Sequence, residues 1–124
     1  MSLKKYFKDV KNSYVLRQVQ KIELPHFEEG PTVHQRLVFH GRVQKVGFRL
    51  EIFELSKKLG LSGWVRNQKD GSVEAQIHGE QNRIRFLIHF MESLKRAKVV
   101  AVDIIDLPVE NDPIPFHIRT DEIP

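Results

Sequence analysis

The stretch RLVFHGRVQKVGFRLEIFELSKKLG, Arg36 to Gly60, changes its hydrophobic period midway. Arg36 to His40 is a short apolar run with Val38 and Phe39 at its centre, and it reads as a strand. From Phe48 onward the apolar residues recur three or four apart, so that Phe48, Ile52, Leu55 and Leu59 fall on one helical face. Gly60 is the natural stop, because glycine accepts the left-handed conformation that commonly follows a helix. A strand, a loop holding Gly41 and Gly47, and a helix follow one another, and the loop delivers the chain to a helix N-terminus.

Toward the C-terminus the alternation continues. SGWVRNQ, Ser62 to Gln68, and SVEAQIH, Ser72 to His78, are predicted strands joined by Lys69-Asp70-Gly71. The Asp-Gly pair is expected to supply the left-handed conformations of a tight antiparallel hairpin. After Gly79, the spacing of Ile84, Leu87, Ile88, Met91 and Leu94 predicts a second helix, and VVAVDIIDL, Val99 to Leu107, a fourth strand. PFHIR, Pro115 to Arg119, is expected to add a short edge strand. The order βαββαβ closes as an antiparallel sheet with both helices on one face, the ferredoxin-like α+β sandwich. That arrangement hosts many functions, so function has to be argued from a site.

Toward the N-terminus, Leu3, Tyr6, Phe7, Val10 and Tyr14 recur at helical spacing among Lys4, Lys5, Lys8 and Lys11, and predict an amphipathic helix that packs on the domain. Pro25, Gly30 and Pro31 punctuate the acidic PHFEEGP and end any helix there. The boundary is expected near Thr32, with residues 1–33 an extension and linker and residues 34–124 the domain. A chain of 124 residues, 40% of them hydrophobic, is the size of one ordinary domain with a modest core.

Composition narrows the chemistry. With no cysteine there is no disulfide framework, thiolate metal site or cysteine nucleophile. His26, His34, His40, His78, His89 and His117 show no paired ligand spacing with acidic neighbours, so neither a metal nor another cofactor is expected. No apolar run approaches the roughly 18 to 20 residues of a membrane span, and a cytoplasmic location is expected. The formal charge of +4 suits a small anionic ligand better than a nucleic acid, and the aromatic-basic strand signature of RNA-binding sheets is absent.

The loop from Gly41 to Arg49 sits where such a ligand would bind. A strand leading through a loop into a helix N-terminus gathers unpaired N–H groups and the positive end of the helix dipole. The glycines let the backbone approach closely, and Arg49 in the first helical turn can offer a planar fork to two phosphate oxygens. Taken alone, an arginine in a first turn is more often a solvated surface residue. Asn67, at the end of its strand, can hold a water through an amide that both donates and accepts, or can simply assist the turn that begins at Gln68.

The two segments together resemble the acylphosphatase family, whose motifs read G-x-V-Q-G-V-x-F-R and G-[aromatic]-V-[basic]-N-x-x-x-G-x-V-x-x-x-x-x-G. Gly41, Val43, Gln44, Val46, Phe48 and Arg49 agree with the first. Gly63, Trp64, Val65, Arg66, Asn67, Gly71, Val73 and Gly79 agree with the second at the same spacing. The resemblance spans about three quarters of the chain, from His34 to Arg119, and implies metal-independent hydrolysis of acyl phosphates to a carboxylate and inorganic phosphate by a monomer. It implies a phosphate-binding loop of Gln44, Lys45, Val46, Gly47 and Phe48, with Arg49 binding the phosphate and Asn67 orienting the attacking water.

Lys45 stands where the family motif has glycine. If the position needs positive φ, lysine there is strained by roughly 1 kcal/mol or more, and a misaligned loop would leave a weakly active or inactive anion-binding module. The other reading is that its ammonium adds attraction for phosphate. Arg49 and Asn67 are both present, which favours the working enzyme.

Overall fold

A computed structural model of the chain describes residues 2–120. The element order is α1 (Leu3–Lys21), β1 (Thr32–Arg42), α2 (Phe48–Lys58), β2 (Ser62–Asn67), β3 (Val73–Glu80), α3 (Gln81–Glu92), β4 (Lys98–Leu107) and β5 (His117–Ile118). These strands form one sheet in the order β4-β1-β3-β2-β5. The first four are antiparallel neighbours, as the βαββαβ reading requires. β5 runs parallel to β2, pairing Trp64 with His117 and Val65 with Ile118, so the completed sheet is mixed.

The strand period of two sorts side chains between the faces. Leu37, Phe39, Val65, Val73, Ala75 and Ile77 point to the helical side and are buried there against Phe48, Ile52, Leu55 and Leu59 of α2 and Ile84, Leu87 and Met91 of α3. Phe39 and Phe48 meet edge to face with centroids 5.2 Å apart, which places the start of α2 directly over the end of β1. On the opposite face Glu74 is buried and takes hydrogen bonds from Arg36 and Arg66. Burial, the largest influence on this carboxyl, pushes its pKa up, but the two guanidinium groups outweigh it and hold it below the ordinary glutamate range.

Two expectations change on contact with the structure. The hairpin at Lys69-Asp70-Gly71 uses one left-handed residue rather than two: Gly71 has φ +94°, while Asp70 keeps negative φ and accepts hydrogen bonds from the Ser72 amide and hydroxyl. The Gly71 amide donates to the Gln68 carbonyl and the Gln68 amide to that of Ser72, a three-residue turn closed by glycine.

The second change concerns α1, which presents a different face from the one expected. Leu3, Tyr6, Val10 and Tyr14 are exposed, and the helix buries Val15 and Val19 in the common core. Lys58 of α2 caps its C-terminal end, donating to the carbonyls of Val19, Gln20 and Ile22. No helix among the described residues is long and apolar enough to cross a membrane.

Candidate active site

Where β1 ends, Arg42 leaves the sheet and residues 43–47 turn the chain back over the core into α2. Two residues in this short loop are left-handed, Lys45 at φ +65° and Gly47 at φ +77°. Such a succession lets consecutive N–H groups converge on one point, and among the described residues those of Lys45, Val46 and Gly47 donate to no protein acceptor. Gly47 immediately precedes α2, so the helix's unpaired N–H groups and positive dipole end add to the same concavity. A Cβ on Gly47 would also stand 2.9 Å from a methyl carbon of Val15, so the loop has no room for a side chain beneath α1.

The loop is fixed at both ends. The Gln44 amide donates to the carbonyls of Gln68 and Ser72, both at 2.8 Å, which fastens the loop to the β2–β3 hairpin. Arg96, just past α3, donates through Nε to the Val46 carbonyl at 2.7 Å and through Nη2 to Glu51 of α2 at 2.9 Å. Glu51 is fully buried, and desolvation raises its pKa above the ordinary glutamate range despite the hydrogen bond and the charge of Arg96.

The residues expected at the site divide by what they present. Gln44, Lys45, Gly47, Phe48, Arg49 and Asn67 line one cavity of about 220 Å3. Phe48 is itself core, so only its backbone is available to a ligand, whereas Val46 is not among the residues lining the cavity: its side chain packs inward and its carbonyl accepts from Arg96. Arg49 lies half-buried in the first turn of α2 and makes no hydrogen bond or ion pair among the described residues. Asn67 ends β2 on the helical face of the sheet, and its Oδ1 is buried without a hydrogen-bond partner among the described residues. An unmatched buried acceptor costs roughly 1–3 kcal/mol, so a donor such as a water is called for there.

The same cavity has a wall that the sequence did not assign to it. Lys8, Lys11 and Asn12 of α1 line it together with the loop between β1 and α2. Among the described residues no carboxylate lines the cavity, while Lys8, Lys11, Lys45 and Arg49 do. Among the described residues no group of three or more His, Asp or Glu side chains is arranged to hold a metal ion.

The acylphosphatase family model matches residues 35–118, more than half of the chain. This chain belongs to the acylphosphatase family. It is 39% identical over 83 residues to the acylphosphatase of Picrophilus torridus, covering 66% of this chain and 96% of that one. The acylphosphatase of Rubrobacter xylanophilus is 36% identical over 102 residues, covering 77% and 93%. In three dimensions the crystal structure of acylphosphatase from Bacillus subtilis superposes with a TM-score of 0.66 at 28% identity, over 70% of this chain and 98% of that one. The activity is that of an acylphosphatase, hydrolysis of an acyl phosphate to a carboxylate and inorganic phosphate.

Lys45, the departure from the family motif, occupies the left-handed region that glycine would occupy without cost. A lysine there carries about 1–2 kcal/mol of strain, and the greater unfolded-state entropy of glycine offsets about 0.4–1 kcal/mol of any relief. Lys45→Gly is therefore expected to raise the melting temperature by only about 2–5 °C. Because the loop already has the shape a glycine permits, kcat/KM should fall no more than a few-fold through loss of one exposed cation. A tenfold faster Lys45→Gly enzyme in a benzoyl phosphate assay would show instead that lysine disables the loop.

Proposed function

We propose that the loop N–H groups of Lys45, Val46 and Gly47 and the Arg49 guanidinium bind the phosphoryl group of the acyl phosphate, and that Asn67 orients the water that attacks it. The observation that carries this assignment is the pairing of a free arginine fork with a buried, unpartnered amide oxygen in one cavity. Water attacks phosphorus on the face opposite the acyl oxygen, and the bond from phosphorus to that oxygen breaks. Its electron pair leaves on the carboxylate, and the water's proton passes to a phosphate oxygen. A carboxylate is a good leaving group, so positioning and stabilisation of the equatorial oxygens supply most of the catalysis and no strong general base is needed.

Gln44 acts here by holding the loop against the hairpin that carries Asn67, which fixes the distance between bound phosphate and bound water. The proposal takes residues 34–124 as the catalytic domain, with Lys8, Lys11 and Asn12 of α1 completing the cavity wall, and a single chain in the cytoplasm as the working unit.

The test is hydrolysis of benzoyl phosphate at neutral pH with chelator present, in the intact protein and in Asn67→Ala. A misplaced nucleophile typically costs about 10²-fold, so kcat should drop by that order while KM changes little. A variant that keeps its kcat would remove Asn67 from the water-positioning role. Turnover that vanishes with chelator would replace this scheme with a metal-assisted one.

A further inference from the structure

The family match begins at residue 35, yet part of the cavity wall is built by α1, which lies outside it. Lys8, Lys11 and Asn12 fall three or four residues apart and lead into Val15 and Val19 along the same face of the helix. That face is apolar where it enters the core and basic where it meets the cavity. The helix is seated firmly enough to present a fixed surface, with Val15 against Gly47, the Arg96 guanidinium 5.9 Å from the Tyr14 ring and Lys58 closing its C-terminal end.

Charge decides what this wall is for. Lys8, Lys11, Lys45 and Arg49 put a formal +4 around the cavity with no lining carboxylate among the described residues. A phosphoryl group brings about −1.5 to −2 at neutral pH, so roughly half of that charge is left unmatched when it binds. The reacting group also has only three free oxygens, and the N–H groups of Lys45 and Gly47 with the two-pronged Arg49 fork already offer a donor to each. Space points the same way. A cavity of about 220 Å3 exceeds what the five heavy atoms of a phosphate need, about 150 Å3 at the roughly 30 Å3 that one water takes up in the liquid.

Resting on the active-site reading above, we propose that Lys8, Lys11 and Asn12 form a second oxyanion subsite, and that the enzyme selects acyl phosphates whose acyl part carries a further carboxylate or phosphate group. Arg49 and the loop hold the phosphoryl end, and the two lysines with the Asn12 amide hold the far anionic end. The α1 segment is thus a specificity element, not only a packing element.

Two measurements decide it. The ratio of kcat/KM for 4-carboxybenzoyl phosphate over benzoyl phosphate is expected to favour the carboxylated substrate, and to fall about tenfold in Lys8→Gln/Lys11→Gln, the size expected for two partly exposed charge pairs. An equal fall on both substrates, or none, would overturn the subsite. Calorimetry with non-hydrolysable ligands reads it without turnover. Benzylphosphonate, its 4-carboxy derivative and its 4-phosphonomethyl derivative should bind with the second anion tightening affinity about tenfold in the intact protein, not in the double variant. The tighter of the two ligands with a second anionic group identifies whether carboxylate or phosphate is the natural far group. If neither binds better than benzylphosphonate, the subsite is overturned. If neither acyl phosphate is hydrolysed but the phosphonates discriminate, the subsite stands and the catalytic scheme falls.

Discussion

Arg49→Ala is expected to lower kcat/KM for benzoyl phosphate by about 10²–10³-fold, the usual cost of one preorganised donor to developing oxyanion charge. The side chain makes no hydrogen bond or ion pair within the described protein and lies on the rim of a cavity. Truncation therefore breaks no hydrogen bond or ion pair among the described residues, and the melting temperature should stay within about 2 °C of the parent, as for an ordinary surface substitution. Arg49→Lys should recover little, because an ammonium on a flexible stem cannot reproduce a planar fork that spans two oxygens. Both kcat and affinity for inorganic phosphate should suffer, since the product carries the same oxygens as the transferring group. A steady-state comparison with phosphate inhibition constants checks this. An Arg49→Ala enzyme within tenfold of the parent would leave the loop N–H groups as the whole of the phosphate site.

The parts of this site that were legible in the sequence are those carried by local pattern. The switch of period across Arg36 to Gly60 marked a strand, a loop and a helix, and β1, α2 and the intervening loop lie there. Gly71 closed the hairpin as its position predicted, but the neighbouring Asp70 did not turn left-handed, because its side chain can satisfy Ser72 from ordinary backbone geometry. Arg49 and Asn67 could be named because motif spacing tied them together, although they sit on different elements that only the folded sheet brings to one cavity.

What escaped the sequence was tertiary. In α1 the more frequent apolar residues, Leu3, Tyr6, Val10 and Tyr14, suggested the buried face, whereas the fold buries the smaller set Val15 and Val19. Burial is decided by which face fits between α2 and the phosphate loop, where Gly47 leaves space for Val15 and no more. Lys8, Lys11 and Asn12 share the spacing of Val15 and Val19, and that offset was the available signal. Arg96 carried none. It lies in the connection after α3, distant in sequence from both Val46 and Glu51, and resembles any solvated arginine until the chain is folded.

Arg96→Ala is expected to be the most destabilising single substitution near the site. It strands the Glu51 carboxylate, which is 0% exposed and already has one oxygen without a hydrogen-bond partner. Removing one partner of a buried ion pair costs about 3–5 kcal/mol, which equilibrium urea unfolding would register as a large drop in midpoint. The pH dependence has a definite sign. Burial raises the folded-state pKa of Glu51, so its contribution to stability is fully present below the ordinary glutamate range and is lost as pH rises through the folded value. Without Arg96 the folded pKa rises further, and the variant's deficit should be smaller at pH 5 than at pH 7.5. A deficit that grows on acidification would contradict a buried, burial-dominated Glu51.

Activity then separates packing from positioning. Replacing the pair with apolar residues, Arg96→Met with Glu51→Leu, should restore stability to within about 1–2 kcal/mol of the parent, because a well-packed apolar pair avoids the desolvation that the ions suffer. The Val46 carbonyl would still lack its donor, and the N–H groups of the phosphate loop would no longer be held in register. Such a stable but poorly aligned enzyme should remain slower than the parent by about tenfold or more in kcat/KM, with weaker inhibition by phosphate. Full recovery of activity along with stability would mean that Arg96 serves the fold alone, and that Gln44 is sufficient to hold the loop.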